Sequence, residues 1–243
     1  MLSRISGVTK NYDWGSKELI PNFFGLPTST IPIAEIWYGT HPLGESQTLE
    51  SGDPLSESLG KELHFLVKFL SAEKALSIQV HPNAQQAKEG FQYEQGLSIK
   101  LDDPKRNYKD ASHKPETIVA LTKFDALCGF RPRQELVRIF TEFGKSEPEF
   151  ESLDQKLNAG AKLEEIFESL IGNKELVARF ENTVNQDQSD PLAKKARELI
   201  ERLLRQFPGD TGALVAVMLN EVSLDPGEAI YLPAGNIHAY LSG

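Results

Sequence analysis

The feature that most constrains the fold is a series of tight turns and short strands at residues 222–241. A Pro-Gly turn separates two strand-length segments, and a Pro-Ala-Gly turn follows the second of them. His238 comes shortly after this second turn. It shares one strand face with Tyr240, because residues two apart in a strand point to the same side. The pattern predicts antiparallel β structure that presents a histidine.

A second polar strand face is predicted at residues 76–82, where the sequence reads Leu-Ser-Ile-Gln-Val-His-Pro. Apolar residues alternate with polar ones, which is typical of a strand, and the final proline ends it because proline cannot donate a ladder hydrogen bond. Gln79 and His81 would project side by side, with Ser77 on the same face. An amide oxygen and an imidazole nitrogen in this relation form half of a metal site, although solvated strand faces also show this pattern.

Glu116 is the third candidate position. It precedes a predicted strand at residues 117–121 and follows a proline, whose fixed φ constrains the backbone there. His113 and Lys114 come just before it in a loop-like segment. Two interpretations are open at this point: Glu116 forms an ordinary ion pair with the lysine, or it binds a metal.

Four candidate ligands therefore come from three separated segments: Gln79 and His81, Glu116, and His238. Two imidazoles, a carboxylate and an amide oxygen suit Zn²⁺ with room for a water or substrate. The two histidines and the carboxylate alone would also suit Fe²⁺. The turn–strand–turn–histidine pattern is how a double-stranded β-helix, the cupin-type jelly roll, brings a ligand into its mouth. The predicted fold is thus mainly β and cupin-type, with an α insertion.

The helical insertion is predicted at residues 133–207, where apolar residues recur at helical spacing. Its four predicted helices lie at about 134–143, 163–171, 174–183 and 190–207, the last with an aspartate N-cap and a proline at the first helical position. The predicted organisation is the first part of the cupin domain at 1–132, the helical insertion at 133–207 and the continued cupin domain at 208–243.

The remaining elements follow from short apolar runs. Strands are predicted at residues 33–42, 63–70, 76–82, 117–121 and 211–220 and on both sides of the Pro-Gly turn, and a helix at about 82–89. The strands at 63–70 and 76–82 are expected to pair as neighbours.

Composition excludes several classes of protein. A net charge of −9 without a Lys/Arg-rich run argues against nucleic-acid binding. The single cysteine, Cys128, excludes an internal disulfide and a cysteine-based zinc cluster. Nothing at the N-terminus resembles a signal peptide, and no apolar run approaches the ~20 residues of a membrane helix. The expected location is the cytoplasm, without membrane contact.

At these residues the sequence resembles the type I phosphomannose isomerases, also called mannose-6-phosphate isomerases. The matching segments run from near the start of the chain to its end: 12–15, 34–42, 76–82, 107–116 and 232–241. The combination of His-Lys-Pro-Glu with Gln-x-His-Pro is highly specific to that family. The resemblance implies a cupin catalytic domain with a helical insertion. It also implies one zinc ion per chain, held by Gln79, His81, Glu116 and His238.

The resemblance further implies an enzyme that interconverts mannose 6-phosphate and fructose 6-phosphate through a cis-enediol(ate), in mannose supply or catabolism. Lys114 is expected to stabilise the enediolate, and His113 to act as the base or to orient another group. Four side chains are expected to contact the sugar phosphate: Trp14 and Tyr240 at the sugar, and Ser77 and Lys68 at the phosphate. The full-length form is expected to be a monomer.

The sequence departs from the family pattern in one respect. Family members continue past the last zinc histidine with further barrel strands, an acidic and an arginine active-site residue, and a second jelly roll. The chain is therefore expected to be an N-terminal portion with open sheet edges, which would leave it marginally stable or prone to associate, and its activity alone is an open question. The alternatives are a non-catalytic metal- or sugar-binding cupin and an Fe(II) cupin oxygenase, which would need neither Lys114 nor a glutamine ligand.

Overall fold

The computed structural model describes residues 2–101, 103–182 and 189–243 and combines short antiparallel strand pairs with helices. The chain divides into two compact units, Met1–Leu76 with Leu241–Gly243 and Ser77–Tyr240. None of the helices among the described residues is long and apolar enough to cross a lipid bilayer. The mixture of strands with a helical segment agrees with the predicted composition of the fold.

The first unit is built around a sheet of three strands. Its elements are β1 (Ile5–Ser6), β2 (Val8–Lys10), α1 (Leu19–Phe23), β3 (Glu35–Tyr38), β4 (Gln47–Thr48), α2 (Leu55–Leu59) and β5 (Val67–Leu70). The strand order is β2-β3-β5, and Trp37 lies opposite Val8 on one side and Lys68 on the other. Its ring is buried and anchors the core of this unit.

The second unit carries the remaining strands and the helices that follow them. Its elements are β6 (Gln79–Val80), α3 (Ala84–Gly96), β7 (Glu116–Val119), β8 (Phe124–Phe130), α4 (Arg133–Gly144), α5 (Pro148–Asn158), α6 (Leu163–Leu170), α7 (Lys174–Asn182), α8 (Pro191–Gln206), α9 (Gly212–Ala216), β9 (Leu219–Leu224), β10 (Ala229–Leu232) and β11 (Ile237–Ser242), whose last two residues belong to the first unit. One sheet has the order β6-β11-β8-β9, and β10 pairs with β7.

Both predicted turns are present and fix the approach to β11. Gly227 lies between β9 and β10 with φ +92°, and Gly235 lies between β10 and β11 with φ +85°. Glycine adopts this left-handed region without the steric cost that a side chain would bring. The backbone N–H of Gly235 donates to the carbonyl oxygen of His81 at 2.8 Å. This bond ties the second turn to the Gln-x-His segment.

The helices pack around a group of aromatic rings. The rings of Phe140, Phe143, Phe150 and Phe180 lie with centroids 5.1–5.6 Å apart. Asp190 caps α8 through its side chain, as predicted. The predicted end of α7, at Thr183, falls outside the described residues. The domain boundaries at 133 and 207 stay a prediction.

One helix of this segment was not predicted. The α5 helix has a proline at its first position and buries Phe150, Leu153 and Leu157 at helical spacing. These signals were present in the sequence, so the expectation of four helices is corrected to five between Arg133 and Gln206 in the described part of the chain.

The prediction of a strand at residues 211–220 is wrong for most of these residues. Residues 212–216 form α9, and β9 begins only at Leu219. Residues 213–219 are all buried. A short apolar run buried on every side has no polar face, so its periodicity does not distinguish a buried helix from a buried strand.

The predicted pairing of residues 63–70 with 76–82 is also wrong. β5 pairs with β3, and β6 pairs with β11. Strand contacts between residues close in sequence are favoured by chain entropy. Here the better partners are distant in sequence, and they bring Gln79 opposite His238.

The helix predicted at about 82–89 is confirmed and extends to Gly96. Its N-terminal cap is expected to contribute to stability. The Asn83 side chain accepts a hydrogen bond from the Gln86 N–H at 2.9 Å, and the Gln86 side chain bonds back to the Asn83 N–H. Asn83→Ala should lower the free energy of unfolding in urea by about 1 kcal/mol. Gln85→Ala, at an exposed position of the same helix, is the control. Equal stability of both variants would show that the cap contributes nothing.

Candidate metal centre

Three side chains from distant parts of the second unit converge on one point. His81 directly follows β6, Glu116 is the first residue of β7, and His238 is the second residue of β11. One potential ligand atom from each lies within 4.8 Å of the other two. The two imidazole centroids are 5.1 Å apart. The predicted convergence of these three residues is thus present.

Two contacts in the cluster, each to a different oxygen of the carboxylate, are close to the ligand spacing of a tetrahedral zinc site. His81 Nε2 lies 3.2 Å from Glu116 Oε1, and His238 Nε2 lies 3.6 Å from Glu116 Oε2. Ligands with bonds of about 2.0–2.1 Å at tetrahedral angles lie roughly 3.3 Å from each other. Small side-chain movements would therefore complete the geometry.

The His238 ring is oriented by the backbone two residues earlier in the chain. Its Nδ1–H donates to the Asn236 carbonyl oxygen at 2.9 Å, so in the neutral ring Nε2 carries the lone pair. His238 is 3% exposed, and its Nε2 is a buried side-chain nitrogen without a hydrogen-bond partner among the described residues. Buried polar atoms are normally satisfied, and a ring nitrogen left in this state fits a metal ligand.

The electrostatics of Glu116 favour a bound cation. Burial acts to raise the pKa of the carboxyl group, but His238, His81 and the Tyr240 hydroxyl outweigh it and hold that pKa well below its usual range. Conversely, burial acts to lower the pKa of His238, and the nearby Glu116 and the Asn236 carbonyl raise it overall. The 3.6 Å contact between His238 and Glu116 is too long for a hydrogen bond. We therefore attribute the effect of these two residues on each other's pKa to charge attraction.

Gln79 lies directly beside this cluster in the sheet. It is paired with His238 in the antiparallel ladder, and paired residues project on the same face. Its Nε2 donates to Ser77 Oγ at 3.5 Å, so the amide oxygen is the atom that would coordinate a cation. The Gln79 side chain is exposed. Its role as the fourth ligand stays a prediction.

Tyr240 makes a contact that sequence reasoning did not assign to it. Its hydroxyl donates to Glu116 Oε2 at 2.7 Å, and its ring meets Phe124 edge to face at 5.4 Å. The signal in the sequence was its position two residues after His238, on the same strand face. Tyr240 therefore orients the carboxylate, and its predicted contact with the sugar stays a prediction.

His113 and Lys114 lie in the exposed segment that leads into β7. Lys114 Nζ forms an ion pair with Asp110 Oδ2 at 3.2 Å. The Glu116 carboxylate contacts two imidazoles and a hydroxyl. Its role as a metal ligand stays a prediction.

Two predicted substrate contacts belong to the first unit. The Trp14 ring stacks on Tyr12 with centroids 5.7 Å apart. Lys68 Nζ lies 3.3 Å from Glu35 Oε1 and 4.6 Å from the centroid of the Trp37 ring. Their contacts with substrate stay predictions.

Comparisons with known proteins point in one direction. The family model "Phosphomannose isomerase type I, catalytic domain" matches residues 2–133. The mannose-6-phosphate isomerase of Escherichia coli is 34% identical over 100% of this chain and 66% of its own length. That of Schizosaccharomyces pombe is 36% identical over 99% of this chain and 65% of its own length. The chain thus spans about two-thirds of the length of these relatives.

Solved structures that match this chain are also mannose 6-phosphate isomerases. A crystal structure of mannose 6-phosphate isomerase bound with zinc and yttrium matches with a TM-score of 0.87 and 32% identity over 99% of this chain and 66% of its own. The Salmonella typhimurium enzyme bound to fructose 6-phosphate and zinc matches with a TM-score of 0.84 and 32% identity over the same shares of the two chains.

Proposed function

Because the chain belongs to the type I phosphomannose isomerase family, we propose that it interconverts mannose 6-phosphate and fructose 6-phosphate. The observation that carries the proposal is the cluster of His81, Glu116 and His238, with one buried ring nitrogen aimed at the carboxylate. A relative's crystal structure holds fructose 6-phosphate and zinc, which supports a sugar phosphate as the substrate class.

Zinc is the proposed metal, one per chain. Its ligands would be His81, Glu116 and His238, with the Gln79 amide oxygen as the fourth. Bound there, zinc would act as a Lewis acid that polarises the oxygens of the open-chain sugar. The chain's own contribution is to hold the donors in place: the Asn236 carbonyl fixes the His238 tautomer, and the Tyr240 hydroxyl fixes the carboxylate.

The reaction moves a proton between C2 and C1 of the sugar through a cis-enediol(ate). Lys114 is proposed to place its ammonium near the developing oxyanion, where a fixed positive charge lowers the barrier. His113 is proposed as the base that removes the C2 proton and returns it to C1, or as the residue that orients that base. Both residues lie directly before Pro115 and Glu116 in the sequence, so the same loop positions them and the carboxylate.

The substrate-contacting residues are proposed from the family resemblance: Trp14 and Tyr240 at the sugar, and Ser77 and Lys68 at the phosphate. A cupin-type jelly roll with a helical insertion at 133–207 is proposed as the domain plan, supported by the antiparallel strand pairs and the two glycine turns. A monomeric, cytoplasmic full-length form is part of the same proposal.

The test combines metal analysis with a coupled assay for conversion of mannose 6-phosphate. The chain should purify with one zinc ion. Turnover is measured for this chain and for a longer chain of the length of its relatives, because the chain spans about two-thirds of that length. Zinc without turnover in this chain but with turnover in the longer one would support the expectation of an N-terminal portion. Zinc with sugar binding but no turnover in either chain would support a binding cupin instead. Iron with oxygen uptake would overturn the isomerase in favour of an oxygenase that uses His81, Glu116 and His238.

A conservative change at Tyr240 tests the carboxylate support. Tyr240→Phe removes the hydroxyl that donates to Glu116 and keeps the ring that packs on Phe124. Zinc affinity should fall by about 10-fold or more, as is usual when a partner of a metal ligand is lost. Tyr231→Phe, at an exposed position of β10, is the control for competition titrations with a chelator. Unchanged affinity in both variants would remove Tyr240 from the site.

A further inference from the structure

A buried ion pair lies outside the metal cluster and has no part in the chemistry described so far. Glu94, on α3, is 6% exposed, and Arg106, in the following loop, is 3% exposed. Their closest atoms, Arg106 Nε and Glu94 Oε2, are 3.7 Å apart. Buried ion pairs add little net stability and are better explained where they specify one conformation.

Glu94 holds the loop through its backbone. Its Oε1 accepts the Asn107 N–H at 3.0 Å, and its Oε2 accepts the Tyr108 N–H at 2.8 Å. Hydrogen bonds from backbone N–H groups to a carboxylate are among the stronger ones in proteins. Two consecutive residues are therefore fixed to the last part of α3 by one side chain.

Arg106 completes the attachment from the loop side. Its Nε donates to the Tyr108 carbonyl oxygen at 2.8 Å, and its terminal nitrogens donate to the Ile99 carbonyl and to Gln95 Oε1. The guanidinium also lies over the Phe91 ring, 4.9 Å from its centroid. One side chain thus joins the start and the middle of the loop to the helix.

Gly90 adds a steric component to this arrangement. A Cβ atom at Gly90 would lie 2.5 Å from the Tyr108 ring. The ring therefore packs directly against the helix backbone, at a place where any other residue would displace it. We call Gly90, Glu94, Arg106 and Tyr108 the loop anchor.

The loop anchor leads by a short series of contacts to the proposed catalytic lysine. Asp110 Oδ1 accepts the Ser112 N–H at 2.9 Å, and Asp110 Oδ2 pairs with Lys114 Nζ at 3.2 Å. Asp110 lies two positions after Tyr108, and Glu116 lies two positions after Lys114. Residues 97–115 contain no helix or strand among those described, so the loop needs contacts of this kind to keep one path.

We propose that Glu94 and Arg106 are positioning residues that hold the segment carrying His113 and Lys114 in its working place. The inference rests on the proposed isomerase function. Loss of the anchor should reduce the rate of the chemical step while leaving the affinity for the metal nearly unchanged. The metal ligand Glu116 is also held by His81 and Tyr240, which do not depend on the anchor. Misplacement of a catalytic group by about 1 Å can cost on the order of 10²-fold in rate.

The test compares Glu94→Gln with Glu89→Gln, which makes the same chemical change at an exposed position of the same helix. Hydrogen exchange, zinc content, kcat and KM are measured for both. In Glu94→Gln, exchange of the amides of residues 107–114 should rise by about 10-fold and kcat should fall by about 10-fold, with zinc content and KM within twofold of wild type. Glu89→Gln should match wild type throughout.

Arg106→Lys is the second variant, and it retains the charge but loses the planar set of donors. It should show the same pattern as Glu94→Gln. Unchanged exchange at residues 109–114 in both variants, or faster exchange with unchanged kcat, would overturn the inference. If neither this chain nor a longer one of the length of its relatives shows turnover, the proposed function fails, and the anchor is then judged by the exchange result alone.

Discussion

Replacing His238 by alanine is expected to abolish stoichiometric zinc binding. The residue contributes a buried ring nitrogen that has no hydrogen-bond partner among the described residues. If an apparent zinc binding energy of about 10–16 kcal/mol is shared among four ligands, one ligand contributes about 3 kcal/mol, or roughly 10²-fold in affinity. Turnover should fall by on the order of 10³-fold, since a metal Lewis acid supplies several kcal/mol to such a step.

The matched control is His64→Ala, which removes an exposed histidine from the first unit. It should retain wild-type zinc content by elemental analysis and wild-type turnover in the coupled assay. Circular dichroism of both variants checks that the fold is kept. A folded His238→Ala protein with a full complement of zinc would exclude His238 from the metal centre.

Replacing Lys114 by methionine is expected to separate turnover from metal binding. Methionine preserves much of the side-chain length without the charge. If the ammonium stabilises the enediolate, kcat should fall by about 10²–10³-fold, the usual cost of removing one such electrostatic contact. Zinc content should remain at one per chain, because the structure gives Lys114 an ion pair with Asp110 and no place among the ligands.

Lys105→Met, at an exposed position of the same loop, is the control for a loss of positive charge in general. It should retain wild-type kcat. If Lys114→Met turns over substrate at the wild-type rate, the electrostatic role belongs to another residue. If it loses zinc as well, the loop supports the ligand Glu116 rather than the transition state.

The convergence of His81, Glu116 and His238 was predictable because each lies at or near a strand end marked by a local signal. A proline follows His81 and precedes Glu116, and a glycine turn precedes His238. Proline restricts the backbone angle φ, and glycine permits positive φ values, whatever the distant packing. Their effects can therefore be predicted from the sequence alone. The Asp190 cap of α8 was predictable for the same reason.

Features that depend on distant partners were not predictable in this way. The strand predicted at residues 76–82 forms only at Gln79–Val80, where β6 pairs with β11. The α9 segment is buried on all sides, so its sequence shows no polar face to reveal its period. The bond from Tyr240 to Glu116 and the burial of Glu94 with Arg106 likewise require the folded chain.

X-ray absorption at the zinc edge of the zinc-loaded chain tests the central claim most directly. Three separate segments are proposed to hold one ion through two imidazole nitrogens, a carboxylate oxygen and an amide oxygen. The spectrum should show nitrogen and oxygen scatterers at about 2.0–2.1 Å with the multiple-scattering signal of two imidazoles. A sulfur shell near 2.3 Å, or a spectrum without imidazole scattering, would contradict this metal centre.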